Sequence, residues 1–216
     1  MTTADADRRR PPSRGRIDKR QAILDAAFAV FARQGYDQAG MREVAAEAGV
    51  AKPTMYNHFT DKGDLFLQCV EAAAGTVRED CLAVVDRLRD PGEDLATTLR
   101  EVARDLLRIC CDDRSTALRR LAYAQLAHFP DLVDVVYRNT SVRITEALSD
   151  RVARLCLSGH LRPCDPHQAA EQLLAMLVGP TEARSRLGSR KVPEAEARDV
   201  ADAAADTFLR AFKATN

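Results

Sequence analysis

Apolar residues return every third or fourth position along the first part of the chain. Ile23, Leu24, Ala27, Phe28, Val30 and Phe31 make one stripe, and Gly35 follows it. A turn of 3.6 residues puts such positions on a single face, so the spacing predicts a helix over 17–34 that ends at the glycine. A second, short helix fits 41–48, with Val44, Ala45 and Ala48 on one face and Gly49 as its stop. A third fits 52–59, where Met55 and Phe59 lie one turn apart. A fourth begins near Asp61, an N-cap residue with Asp64 three positions on, and continues through Leu65, Phe66, Val70 and Ala73. Beyond it, four or five longer helical stretches are separated by "RDPGED" (89–94), "CCDDRS" (110–115), "HFPD" (128–131), "SGHLRPCDP" (158–166) and "GSRKVPE" (188–194). Strand-like alternation and a repeat of fixed period are both missing from the pattern. The expected fold is all-α, with a three-helix unit followed by a helical bundle.

Two short helices joined by a tight, glycine-containing turn describe a helix-turn-helix. The residue types suit that geometry. Ala45 and Ala48 are small where the two helices cross, Gly49 ends the first of them, and Val50 fills the corner. Pro53 sits in the first helical turn, where its missing N–H breaks no bond. With Met55 and Phe59 turned inward, Lys52, Pro53, Thr54, Asn57 and His58 are left to face a major groove. Tyr56 and Lys62 are placed to bond flanking phosphates, as is the start of the fourth helix. The chain then divides into a disordered basic arm (1–16), a helix-turn-helix domain (17–62) and an effector-binding and dimerisation domain (63–216).

Residues 20–71, "RQAILDAAFAVFARQGYDQAGMREVAAEAGVAKPTMYNHFTDKGDLFLQCVE", closely resemble the DNA-binding domain of TetR-family transcriptional regulators. The shared positions are Ile23, Ala26, Ala27, Phe31, Gly35, Tyr36, Arg42, Val44, Ala45, Ala48, Gly49, Val50, Tyr56, Phe59, Lys62 and Leu65. The resemblance adds Arg42 to the DNA-facing set. It departs at Ala39-Gly40, where the family usually has Thr or Ser ahead of the second helix, and at Ala51, where it often has a capping Ser. Residues 118–140 and 159–177 are similar to AefR-like C-terminal domains. That likeness implies a ligand-binding, dimerising bundle in which the last two long helices (about 166–187 and 194–213) meet a second copy. Ala170, Leu173, Leu174 and Leu177 on one, and Val200, Ala204, Phe208 and Phe212 on the other, supply apolar stripes that two-fold pairing would turn into a four-helix interface. The expected function is a ligand-responsive regulator, in this family usually a repressor, that binds a palindromic double-stranded DNA operator as a homodimer.

Charge changes the picture in one respect. The formal net charge is zero, but through Lys62 there are eleven Lys/Arg against eight Asp/Glu, and beyond it 21 against 24. A basic front on an acidic body suits an anionic partner at the N-terminal end. The five arginines within residues 8–16 fit either minor-groove contact or a solvated tail. In the bundle, Tyr123, Gln125, His128, Phe129, Tyr137 and Met176 are candidates to line a cavity with few polar groups, suiting a small hydrophobic or amphipathic effector.

Other chemistries find little support. The order Cys156-x3-His160-x3-Cys164-x2-His167 has zinc-type residues, but Cys156 falls on the apolar pattern, and a buried thiol with surface histidines is the favoured reading. Cys110-Cys111 raises a thiol redox sensor as an alternative, and a helical protein–protein adaptor is another. No Gly-rich phosphate loop, HExxH or GxSxG is present, so neither catalysis nor a cofactor nor a metal is expected. The N-terminus carries charges without an apolar core, and no apolar run approaches about 18 residues, so a cytoplasmic protein without a membrane partner is expected.

Overall fold

The computed structural model describes residues 14–92, 94–186 and 188–214, with side chains from residue 19 onward. Ten α-helices follow one another among the described residues, without a β-strand. They fall into two compact units, one ending at Cys69 and the other starting at Val70.

The first unit holds α1 (Arg14–Gln34), α2 (Met41–Glu47), α3 (Lys52–Tyr56) and the start of α4 (Lys62–Asp86). Helix α1 starts three residues ahead of the predicted boundary. The stripe marks only the buried face, whereas arginine is itself a good helix former. The expected arm otherwise lies outside the described residues. Ile23, Ala27, Val30, Phe31, Val44, Met55, Phe59, Leu65 and Phe66 are all buried and form the core. Phe66 meets Phe31 edge-on at 5.0 Å between ring centres and Tyr36 at 4.9 Å. Rings at those distances add to burial through their quadrupoles.

The second unit continues α4 and adds α5 (Leu95–Cys110), α6 (Asp113–Ala124), α7 (Leu132–Tyr137), α8 (Arg143–Leu157), α9 (Pro166–Ser185) and α10 (Glu194–Phe212). A 3-10 turn at Arg87–Arg89 follows α4, and a π-helical turn at Arg138–Val142 joins α7 to α8. Aspartates in the predicted breaks start three of these helices. Asp94 accepts from the N–H groups of Ala96 (3.0 Å) and Thr97 (3.2 Å), Asp112 from Ser115 (2.6 Å), and Asp165 from His167 (2.9 Å) and Gln168 (3.2 Å). Each satisfies donors that have no partner within the helix.

Helix α10 packs between α5 and α9. Its outer edge is tied to α5 by a two-pronged pair: Arg104 donates to the Asp202 carboxylate from Nε (2.6 Å) and Nη2 (2.7 Å). Arg100 Nε donates to Asp206 at 2.9 Å. This packing corrects the expected dimer stripes. Ala170, Leu173, Leu177, Val200, Ala204 and Phe208 are at most 6% exposed within the single chain and belong to its own core. Phe212 packs on Phe208 at 4.8 Å, and Leu174 faces an internal cavity. Periodicity identified the apolar face but not the neighbour that covers it.

Candidate nucleic-acid interface and effector cavity

The turn between α2 and α3 follows from backbone chemistry at Gly49. Its φ is +64°, a conformation that side-chain-bearing residues adopt at a cost. The Gly49 N–H donates to the Ala46 carbonyl (3.1 Å), and the Val50 N–H to the Ala45 carbonyl (2.9 Å). Together these bonds close the helix end in a Schellman motif. Ala45 is buried at the crossing. Helix α3 then starts at Ala51 without a side-chain cap and carries Pro53 in its first turn. Regular helix ends at Tyr56, three residues before the predicted end. The N–H groups of Asn57 and Phe59 still bond back to the carbonyls of Pro53 (3.2 Å) and Met55 (2.9 Å).

Met55 and Phe59 are buried, at 0% and 1% exposure. The opposite side presents Lys52, Pro53, Tyr56 and Asn57 in solvent, with Thr54 and His58 half-buried beside them. The Lys52 ammonium lies 5.7 Å from the centre of the Tyr56 ring. Arg42 on α2 is exposed as well. Lys62 is partly engaged within the unit: its Nζ donates to the Asp37 carbonyl at 3.0 Å and stands 4.6 Å from the centre of the Tyr36 ring. An ammonium carries three donors, so this one bond leaves others for a phosphate.

Asp61 caps α4 by accepting the Asp64 N–H at 2.8 Å, and the Asp64 carboxylate accepts the Thr60 N–H at 2.9 Å. The two carboxylates thus satisfy N–H groups on either side of the helix start, much as a capping box does. Burial alone would raise the Asp64 pKa. Hydrogen bonds from Thr60 and Gln68, with the charge of Arg20, more than offset that and hold it below its ordinary value. Arg33 draws α1 to α2 through Glu47 (3.1 Å) and Glu43 (3.4 Å).

In the second unit, α4 to α9 enclose a cavity of about 540 Å³. Of the six candidate effector residues, Tyr123 and Tyr137 line it, whereas Gln125, His128, Phe129 and Met176 do not. Gln125 is buried elsewhere, and Met176 lies on another face of α9 from the wall residues Leu174 and Val178. Sequence reasoning missed Cys81, Cys110, Ser115, Arg119, Thr140 and Ile144, all part of the wall. For Ser115 and Arg119 the available signal was their i, i+4 spacing on α6, together with Leu118 and Ala122.

The thiols at this wall are held protonated. Burial pushes Cys81 up to about 12 and Cys110 up to about 11, and it also raises Cys111, which lies off this wall. Reactive thiols need the opposite shift. Of the zinc-type residues, Cys156 and Cys164 come within 3.7 Å sulfur to sulfur, and burial with this neighbour raises Cys164 to about 11. His160 Nδ1 pairs with the Ser158 hydroxyl at 2.8 Å, while His167 faces Glu171 at 3.6 Å. Among the described residues no group of three or more such side chains is arranged to hold a metal, and no helix is long and apolar enough to cross a membrane.

Comparison with known proteins agrees with both units. Residues 23–69 match the family model for bacterial regulatory proteins of the tetR family, and residues 97–214 match that for the AefR-like transcriptional repressor C-terminal domain. The HTH-type transcriptional regulator AcrR of Shigella flexneri is 26% identical over 151 residues, 68% of this chain and 68% of that one. The HTH-type transcriptional activator FasR of Mycolicibacterium smegmatis is 45% identical over 56 residues, 26% of each chain. A crystal structure described as a TetR-family transcriptional regulator from Mesorhizobium loti matches with a TM-score of 0.86 at 30% identity, covering 94% of this chain and 100% of that one.

Proposed function

The chain belongs to the TetR family of transcriptional regulators, and from that premise we propose that it is a repressor. In this reading it binds a palindromic operator as a homodimer and is released by a small amphipathic effector. The observation that carries the DNA-binding part is α3 itself. Its inward face is spent on Met55 and Phe59, which leaves Lys52, Pro53, Tyr56 and Asn57 outward on a helix too short to be stable alone. Insertion into a major groove is the role that accounts for it. Arg42, Thr54 and His58 flank the base-reading edge, and Tyr56 and Lys62 take phosphates.

The cavity supports the effector part. Its wall includes Val77 and Cys81 of α4, and Lys62 opens the same helix. A ligand that displaces α4 at the cavity wall re-aims the recognition helices and breaks their match to half-sites one DNA turn apart. For dimerisation, the outward faces of α9 (Gln168, Gln172, Met176, Gly179) and α10 (Ala203, Thr207, Arg210) take the place of the buried stripes.

Selection of bound sequences from a random DNA library at near-physiological salt tests this reading, with Lys52→Ala/Asn57→Ala as control. The expected result is an enriched palindrome that the control loses. Affinity for that sequence should fall roughly 10³–10⁵-fold between 50 and 200 mM salt. No enrichment, or a flat salt profile, counts against groove docking.

A further inference from the structure

The most buried hydroxyl of the cavity wall belongs to Ser115. This residue is 3% exposed, and its Oγ has no hydrogen-bond partner. A buried hydroxyl in that state carries a desolvation cost that a ligand's acceptor would remove. Arg119 lines the same cavity one turn further along α6. Its Nη2 donates to the Cys110 carbonyl at 2.8 Å, and no carboxylate among the described residues lies within ion-pair distance of it. A guanidinium has five N–H donors in a planar fork, so most of this one remains for a second acceptor.

The remaining wall decides the rest of the ligand. Leu118, Ala122, Val136, Ile144, Leu174 and Val178 make it aliphatic. Two acidic residues, Glu171 and Glu182, also border the cavity, but both are exposed, and Glu171 already faces His167 at 3.6 Å. Solvent screens charges at such an edge, whereas the Ser115–Arg119 corner lies further from water. A cationic ligand would therefore gain little, and an anionic head would gain a charge-assisted bond at the inner corner. We propose that the effector is an aliphatic-chain carboxylate. Its two head oxygens take the Arg119 fork and the Ser115 hydroxyl, and its chain lies along α6, α8 and α9. This assignment rests on reading the chain as a ligand-responsive regulator, and a volume of about 540 Å³ falls within the usual range for such sites.

Calorimetric titration of the full chain with dodecanoate, methyl dodecanoate and dodecyltrimethylammonium, each below its micelle threshold, tests the assignment. Dodecanoate should bind at least about tenfold more tightly than the ester or the cation. Arg119→Met, which keeps the apolar stem, and Ser115→Ala should each weaken dodecanoate by about tenfold and leave the ester unchanged. Ser115→Ala should melt no lower than the parent, since it removes an unsatisfied group, so its loss of binding is not unfolding. Preference for the cation, no binding of dodecanoate, or undiminished binding in both variants overturns the proposal. The titration uses no DNA. Its failure leaves the operator selection standing, and an empty selection beside tight dodecanoate binding removes the regulator reading but keeps the carboxylate site.

Discussion

Asn57 on α3 and Ser115 on the cavity wall are both small polar side chains proposed to meet a ligand, yet folding treats them differently. Asn57 is exposed and hydrated in the free protein, so it adds no burden to stability. Ser115 is buried with an unsatisfied oxygen, so the fold carries a cost until something fills the cavity. Around Asn57, the proposed function sits on a surface and depends on local backbone geometry holding that surface in place. Around Ser115, the proposed function sits in the interior and shares its residues with the core. Substitutions should therefore separate binding from stability in the first unit and couple them in the second.

The largest effect expected is in the first unit's core. Phe31→Ala should remove about 3–5 kcal/mol from that unit in a urea melt followed by circular dichroism. Ligand binding in the cavity should survive it, and parallel loss of both would erase the distinction between the units. Next comes Gly49→Ala, at about 1–2 kcal/mol. Space is not the reason, since a Cβ there would meet nothing within 4 Å; the cost is the left-handed backbone alone. Amide exchange at Ala45, Ala46 and Val50 should accelerate, and unchanged protection would show that the turn tolerates a side chain.

Ala51→Ser should stabilise α3 by about 0.5–1 kcal/mol and tighten operator binding, because Ala51 occupies an N-cap without a side-chain acceptor. Weaker or equal binding in a DNA titration would detach the cap from function. Lys52→Ala should leave the melting curve within about 0.5 kcal/mol of the parent while lowering the salt slope of DNA binding by about one. A large drop in stability would contradict the view of this face as energetically idle. The smallest effect is a pH dependence from Asp64. Its folded pKa is depressed, so its contribution is complete above the ordinary carboxylate value near 3.9 and is lost as pH falls through the folded value. Urea midpoints between pH 2 and 4 should fall less steeply for Asp64→Asn than for the parent.

The same contrast explains what was legible in the chain. Gly49, Pro53, Asp61, Asp94 and Asp165 act on residues two to five positions away, so their roles can be read from order alone. Met55 and Phe59 turned inward for the same reason. The stripes on α9 and α10 were equally visible, but whether Leu173 and Phe208 meet a second copy or their own chain depends on helices about 100 residues distant, such as α5. Gln125, His128 and Phe129 looked like cavity residues because they are polar or aromatic in an apolar neighbourhood. The chain instead turns between α6 and α7 there, which takes them off the wall. Ser115 and Arg119 were overlooked because, on a helix containing three other arginine or aspartate residues, nothing local marks which ones face inward.

The π-helical turn at Arg138–Val142 sets the phase of the cavity wall. A wider turn advances the chain by fewer degrees per residue, so these five residues carry about one extra residue in an otherwise continuous rod. That extra residue brings Val133, Val136 and Tyr137 into line with Thr140, Ser141, Ile144 and Thr145, which line the same space from α7, the turn and α8. The rod thus behaves like a clock set one notch forward. Deleting one residue from 138–142 would leave the two flanks nearly in phase, whereas regular winding with all five kept would rotate Tyr137 by about 100° against Ile144. The cavity would keep its composition on paper and lose one of its sides.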